Sequence, residues 1–138
     1  MARLLSPHFS EDEFWCHGSD YGQCSCNHSL YVDQRLIDLL EQLRYNIGGY
    51  PLTINSGYRC REFNRNLEGS ATNSQHCRGT AADVALPVQL SKGEFLWYIE
   101  QLPFDGVGIY SNFIHLDVRE DGTSYGPIIS RYYWEGTY

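Results

Sequence analysis

SQHCRGTAAD, residues 74–83, is the stretch on which the reading of this chain turns. It sets His76 and Asp83 on either side of Gly79 and three small residues, Thr80, Ala81 and Ala82. Glycine lets a chain turn where a side chain would obstruct it, and two alanines leave room for other groups to approach a sheet. The longer segment GTAADVALP reads as a strand that stops at Pro87, because proline has no N–H to give a ladder. His76 thus lies in the loop ahead of a strand, and Asp83 lies within it.

Working outward, PLTINSGY upstream carries β-branched Thr53 and Ile54 and ends at a Ser-Gly turn, so it reads as a short strand. REFNRNLEGS between the two strands reads as a brief helix closed by Gly69. Further back, Leu36, Leu40, Leu43 and Ile47 repeat at helical spacing from Asp33 to Ile47, and Gly48-Gly49 stop the run. Residues 16–29, with their Gly, Ser, Asn and Cys, read as an irregular loop. Ser10 with Glu13 reads as a capping box opening a short helix, and Ser91 with Glu94 opens another through Gln101, with Phe95, Leu96 and Ile99 inward. DGVGIY and NFIHLDV read as two strands joined by a turn at Tyr110–Asn112, and ISRYYWEGTY as a last strand or a packed aromatic tail. No repeat and no domain boundary interrupts residues 1–138. The expectation is one α+β domain, with helices packed on a small, mostly antiparallel sheet.

Composition narrows the function. A formal charge of −7 argues against nucleic acid and against anionic membranes, which select clustered Lys and Arg. No apolar run reaches transmembrane length, so membrane insertion is not expected. MARLLSPHFSEDEF lacks the apolar stretch of a signal peptide, which points to the cytosol or to exit by another route. Eleven tyrosines and three tryptophans are more than packing needs, and aromatic side chains often line ligand sites. Five cysteines leave at least one unpaired in a monomer. Cys16, Cys24 and Cys26 crowd together with His17 and His28, in a spacing that is not a standard zinc knuckle. A structural zinc, a disulfide and free thiols all stay open there.

The strand NFIHLDV alternates so that Phe113, His115 and Asp117 share one face, while Ile114, Leu116 and Val118 share the other. A face with His and Asp opposite an all-apolar face is not how a core strand is normally filled. Two histidines and a carboxylate are a familiar ligand set for a catalytic zinc, which keeps a fourth position open. A surface histidine and two solvated aspartates would give the same spacing.

S-x-H-x-x-G-x-A-x-D, preceded by INSGYRC and followed by a strand with His-x-Asp, resembles the M15 family of zinc D-Ala-D-Ala carboxypeptidases and related peptidoglycan peptidases. The resemblance runs from Leu52 to Val118 and takes in LSPHFSEDEFWC and the LIDLLEQLR helix. It implies one zinc held by His76, Asp83 and His115, and peptidoglycan stem peptides as substrate. It implies that Arg59, in SGYR, anchors the substrate carboxylate, with Ser74 contacting substrate or orienting the loop. Several members carry an acidic general base three residues before the last ligand, where this chain has Asn112. An amide cannot take that proton, so Asp117 is nominated as the base or as the partner that orients a ligand, with Glu120 and Asp121 next in line. The scissile bond stays open between D-Ala-D-Ala and others such as L-Ala-D-Glu. Two other readings stay open: a non-catalytic wall-binding or phage virion module, and a structural protein whose Cys/His cluster holds the only metal. A monomer is expected, in the bacterial cytoplasm or encoded by a phage and released to the wall at lysis.

Overall fold

Five strands, in the spatial order Ile54–Ser56, Ala81–Ala85, Phe113–Asp117, Gly106–Ile109 and Tyr132–Glu135, form the platform of the molecule. The computed structural model describes residues 3–67, 74–119 and 132–135. Along the chain its elements are β1 (Leu4–Ser6), β2 (Phe9–Ser10), α1 (Glu11–Phe14), α2 (Gln34–Asn46), β3 (Ile54–Ser56), α3 (Arg61–Asn66), β4 (Ala81–Ala85), α4 (Lys92–Glu100), β5 (Gly106–Ile109), β6 (Phe113–Asp117) and β7 (Tyr132–Glu135). Short 3-10 turns occupy Gly18–Tyr21 and Gln75–Arg78. The architecture is α+β. Every pairing in the main sheet is antiparallel except β5 with β7, which is parallel.

Local chemistry places the helices where the pattern put them. Asp33 caps α2 by accepting the Arg35 amide at 2.8 Å, and the stripe Leu36, Ile37, Leu40 and Leu43 is fully buried. Such a stripe, rather than intrinsic propensity, stabilises most helices in folded proteins. Both capping boxes form: Glu13 accepts the Ser10 amide at 2.7 Å, and Glu94 accepts the Ser91 amide at 2.8 Å. Phe95 and Ile99 of α4 are buried and Leu96 packs at the margin.

One face of the sheet meets these helices. Ala82, Val84, Val107, Ile114 and Leu116 join Leu36, Leu40, Leu43, Phe95 and Ile99 in a single apolar cluster. Ala82 therefore belongs to the core, and only Ala81 lies on the polar side with Asp83. One element departs from the sequence expectation. A small antiparallel hairpin, β1–β2, precedes the first helix, with Ser6 opposite Phe9. Of the two readings open for the C-terminal segment, the strand holds over Tyr132–Glu135, which lies beside β5. The Gly69 end assigned to α3 lies outside the described residues. Among the described residues no helix is long and apolar enough to cross a membrane.

Candidate metal centre

The polar face of the sheet is organised as a row. Asp83 pairs with His115 across β4 and β6, Ser56 continues the row in β3, Gly108 in β5 and Trp134 in β7. One step along, Ala81 pairs with Asp117 and Asp117 with Gly106. His76 reaches this row from the 3-10 turn. Ser74 caps that turn, accepting the His76 amide at 3.2 Å, and Gly79 closes it with φ +73°. A Cβ at Gly79 would also run into the Tyr31 carbonyl, so glycine is required on both grounds.

The two imidazoles are fixed through opposite ring nitrogens. His76 Nδ1 donates to the Gly57 carbonyl at 2.7 Å, which leaves Nε2 bare and 3.2 Å from Asp83 Oδ1. His115 Nε2 donates to Asp117 Oδ2 at 2.8 Å, which leaves Nδ1 bare and 3.2 Å from Asp83 Oδ1. Two bare nitrogens and a carboxylate oxygen thus converge, three acceptors in nearly full burial. Ligands about 2.0–2.1 Å from a tetrahedral zinc stand about 3.3 Å apart. The 3.2 Å separations fit that edge, so the donor set matches a metal both in chemistry and in spacing.

Charge follows from these contacts. Burial lowers the His76 imidazole below its ordinary value, with Asp83 opposing. Burial acts in the same direction on His115, but hydrogen bonds to Asp117 and Asp83 outweigh it and raise that group. For Asp83, burial pushes the carboxyl up, yet His76 and His115 together hold it well below the carboxylate range. A cation at this centre must displace any proton on His115 Nδ1. Because the His115 shift is upward from 6.5, that competition begins above pH 6.5, whereas His76 joins only below it. Zinc affinity is therefore expected to fall about tenfold per pH unit once His115 protonates, and more steeply after His76 follows. Competition with a chelator of known affinity measures this, and a flat profile from about pH 7.5 to about pH 5 would remove His115 from the ligand set.

Behind His115 the support is ionic. Asp117 is fully buried, 3.2 Å from Arg119 Nε and 3.3 Å from Arg119 Nη2. Asp105, also buried, accepts the Arg119 amide at 2.7 Å, and Arg35 from α2 donates to the Arg119 carbonyl at 2.6 Å. The pair His115–Asp117 is in this way tied to the helix layer.

In front of the centre, Arg59 and Ser74 are together: Arg59 Nη2 donates to Ser74 Oγ at 3.1 Å, and the Arg59 amide donates to the His76 carbonyl at 3.2 Å. Trp134 is a residue that sequence reasoning missed. Its indole lies 4.9 Å from the His115 ring, and its Nε1 donates to the Tyr110 hydroxyl at 3.0 Å. A Cβ at Gly108 would come 2.6 Å from indole atoms, so glycine makes room for the tryptophan. Glycines alternating in the strand GVGI were the available signal, since a strand glycine marks a close approach. Asn112 is exposed at the β5–β6 turn, while Glu120 and Asp121 lie outside the described residues.

The cysteine cluster differs from the expected Cys/His set. Cys16, Cys24 and Cys26 do converge, but the fourth member is Cys60, and Cys77 stays apart. His17 and His28 turn away to share Asp20, at 3.1 and 2.7 Å, and His28 stacks on Trp15.

Compared with known proteins, residues 7–117 match the family model described as Peptidase M15. No curated protein matches the chain.

Proposed function

Since the chain belongs to the peptidase M15 family, we propose that it is a zinc peptidase that cleaves peptidoglycan stem peptides, with the D-Ala-D-Ala bond as the first candidate. The observation that carries this reading is the convergence of His76 Nε2, His115 Nδ1 and Asp83 Oδ1, with the outer nitrogens of both imidazoles already committed. A bound zinc supplies Lewis acidity at this point, polarising the scissile carbonyl and bringing the pKa of water towards about 7. The protein's own residues do the rest. Gly57 and Asp117 hold the two imidazoles in the tautomers that face Asp83. Arg59 and Ser74 offer donors suited to a terminal carboxylate, for which a guanidinium fork is the best-matched side chain. Trp134, Tyr110 and Phe113 form an aromatic wall beside His115, fit to exclude water from one side of a peptide. The site of action on this reading is the bacterial cell wall.

Mass spectrometry of purified muropeptides after incubation with the zinc-loaded protein is the direct test. Loss of one terminal alanine identifies a carboxypeptidase, and a cut within the stem an endopeptidase. Binding of the muropeptide with no product would instead mark a wall-binding module, the reading that the exposed amide of Asn112 favours. Arg59→Lys keeps the charge but loses the paired geometry. Forfeiting one charge-assisted hydrogen bond, about 1.5 kcal/mol, is expected to raise KM about tenfold with metal content unchanged. Unchanged kinetics on a peptide with a free carboxylate would take Arg59 out of the site.

A further inference from the structure

We propose that Cys16, Cys24, Cys26 and Cys60 hold a second metal ion, a structural zinc bound by four thiolates. The four sulfur atoms lie within 4.8 Å of one another. Cys16 and Cys24 are 3.8 Å apart, and Cys24 and Cys26 are 3.6 Å apart. Thiolates about 2.3 Å from a tetrahedral zinc stand about 3.8 Å from each other, so these separations are those of the edges of a zinc tetrahedron. A four-thiolate set without an open position is the form taken by structural rather than catalytic zinc.

Backbone amides already point at the sulfurs. The Cys60 amide donates to Cys16 Sγ at 3.5 Å, and the Phe63 amide donates to Cys60 Sγ at 3.4 Å. Such donors stabilise the deprotonated form, which is the one that binds metal. Zinc uptake would release the thiol protons to solvent, leaving four Zn–S bonds and no change of oxidation state.

Regular secondary structure contributes little to the surrounding loop. Between α1 and α2 the only regular structure is the turn Gly18–Tyr21, and Asn27 and His28 both adopt positive φ, at 56° and 66°. That conformation is disfavoured for side-chain-bearing residues and persists where surrounding contacts enforce it. The buried apolar members beside this loop are only Cys16, Cys60 and Phe63, a cluster separate from the main core. Gly18 is pressed so closely that a Cβ there would stand 2.7 Å from Cys24 Sγ. A small, core-poor unit of this kind is commonly stapled by a metal. Here the staple would join the N-terminal loop to Cys60, the residue next to Arg59. Its bearing on Arg59 rests on the peptidase reading; the ion itself does not.

The test uses the full chain, stripped of metal under reducing conditions and titrated with cobalt(II) and with zinc. The unsubstituted protein is expected to take two ions. The His76→Ala variant is expected to take one, with the intense thiolate-to-cobalt charge-transfer absorption that imidazole and carboxylate ligands do not give. Adding Cys60→Ser should weaken cobalt binding and lower that absorption, and Cys77→Ser should leave both intact. Zinc should also protect four of the five thiols from alkylation in the unsubstituted chain. That measurement needs no substitution, so it decides even if Cys60→Ser fails to fold. A cobalt complex without charge-transfer absorption, alkylation of all five thiols in the presence of saturating zinc, or a disulfide among the four in the freshly purified reduced protein would overturn the proposal. Retention of one thiolate-bound ion with no peptide cleavage would support it while counting against the catalytic reading alone.

Discussion

Replacing His76 by alanine is expected to strip one zinc per chain and to abolish peptide cleavage, with the sheet still folded. On the proposed assignment His76 would contribute one of three inward ligand atoms, so its loss should cost more than the about 10–100-fold in affinity typical of removing a partner behind a ligand. Without the ion, the chain retains no group able to supply comparable Lewis acidity, and activity should fall to background. The structural penalty is modest. The hydrogen bond to the Gly57 carbonyl goes, with the contacts to Asp83 and the His115 ring, and one unpaired buried acceptor costs about 1–3 kcal/mol. His115→Ala is a poorer choice because it deprives the fully buried Asp117 carboxylate of its 2.8 Å partner. Metal analysis of the dialysed His76→Ala protein, in a chain that also carries Cys16→Ser, Cys24→Ser and Cys26→Ser, gives the answer. Tight stoichiometric zinc in that protein would sink the His76–Asp83–His115 assignment.

Asp117→Asn separates two roles for the carboxylate behind His115. If Asp117 orients the ligand, zinc affinity should drop about 10–100-fold, and activity should return as zinc is added in excess. If Asp117 is the general base, zinc should stay bound while kcat falls about 10²–10⁴-fold, with no rescue by metal. We propose the first outcome. Asp117 lies on the ring nitrogen of His115 that faces away from Asp83, it has no exposed surface, and Arg119 holds it. Asparagine can still accept from His115 Nε2, but it lacks the charge that makes the imidazole a stronger ligand. Zinc titration alongside kcat at saturating metal distinguishes the two results. Wild-type affinity with a collapsed kcat would return the carboxylate to the role of base.

Elements whose cause is local were legible in the sequence. The stripe of α2 repeats within one segment, and each capping box fits in four residues. The pairing of Asp83 with His115 was reachable only through the resemblance, since nothing between residues 83 and 115 sets that register locally. What escaped reading is tertiary or too short. The β1–β2 hairpin has strands of three and two residues, below the length at which alternation shows. Cys60 joins Cys16, Cys24 and Cys26 only because α3 folds back on the loop, and His17 and His28 were drawn off by Asp20, a choice that spacing cannot reveal. Trp134 reaches the site through a parallel pairing with β5, and its clue lay in a different segment, at Gly108.

The face-to-face placement of Asp83 and His115 also guards the fold against mispairing. A one-residue slip of β6 relative to β4 would carry His115 and Asp117 to the side now filled by Ile114 and Leu116, and would turn those two outward. Each unpaired polar or charged group driven into that core would cost several kcal/mol, on top of the apolar surface given up to water. Strands as short as five residues carry few other marks of alignment. Asp83 and His115, two of the residues that would grip the metal, are thus also ones that forbid the neighbouring alignments, so apolar substitutions at Asp83, His115 or Asp117 should lose strand fidelity along with chemistry, whereas His76→Ala, outside the strands, should not.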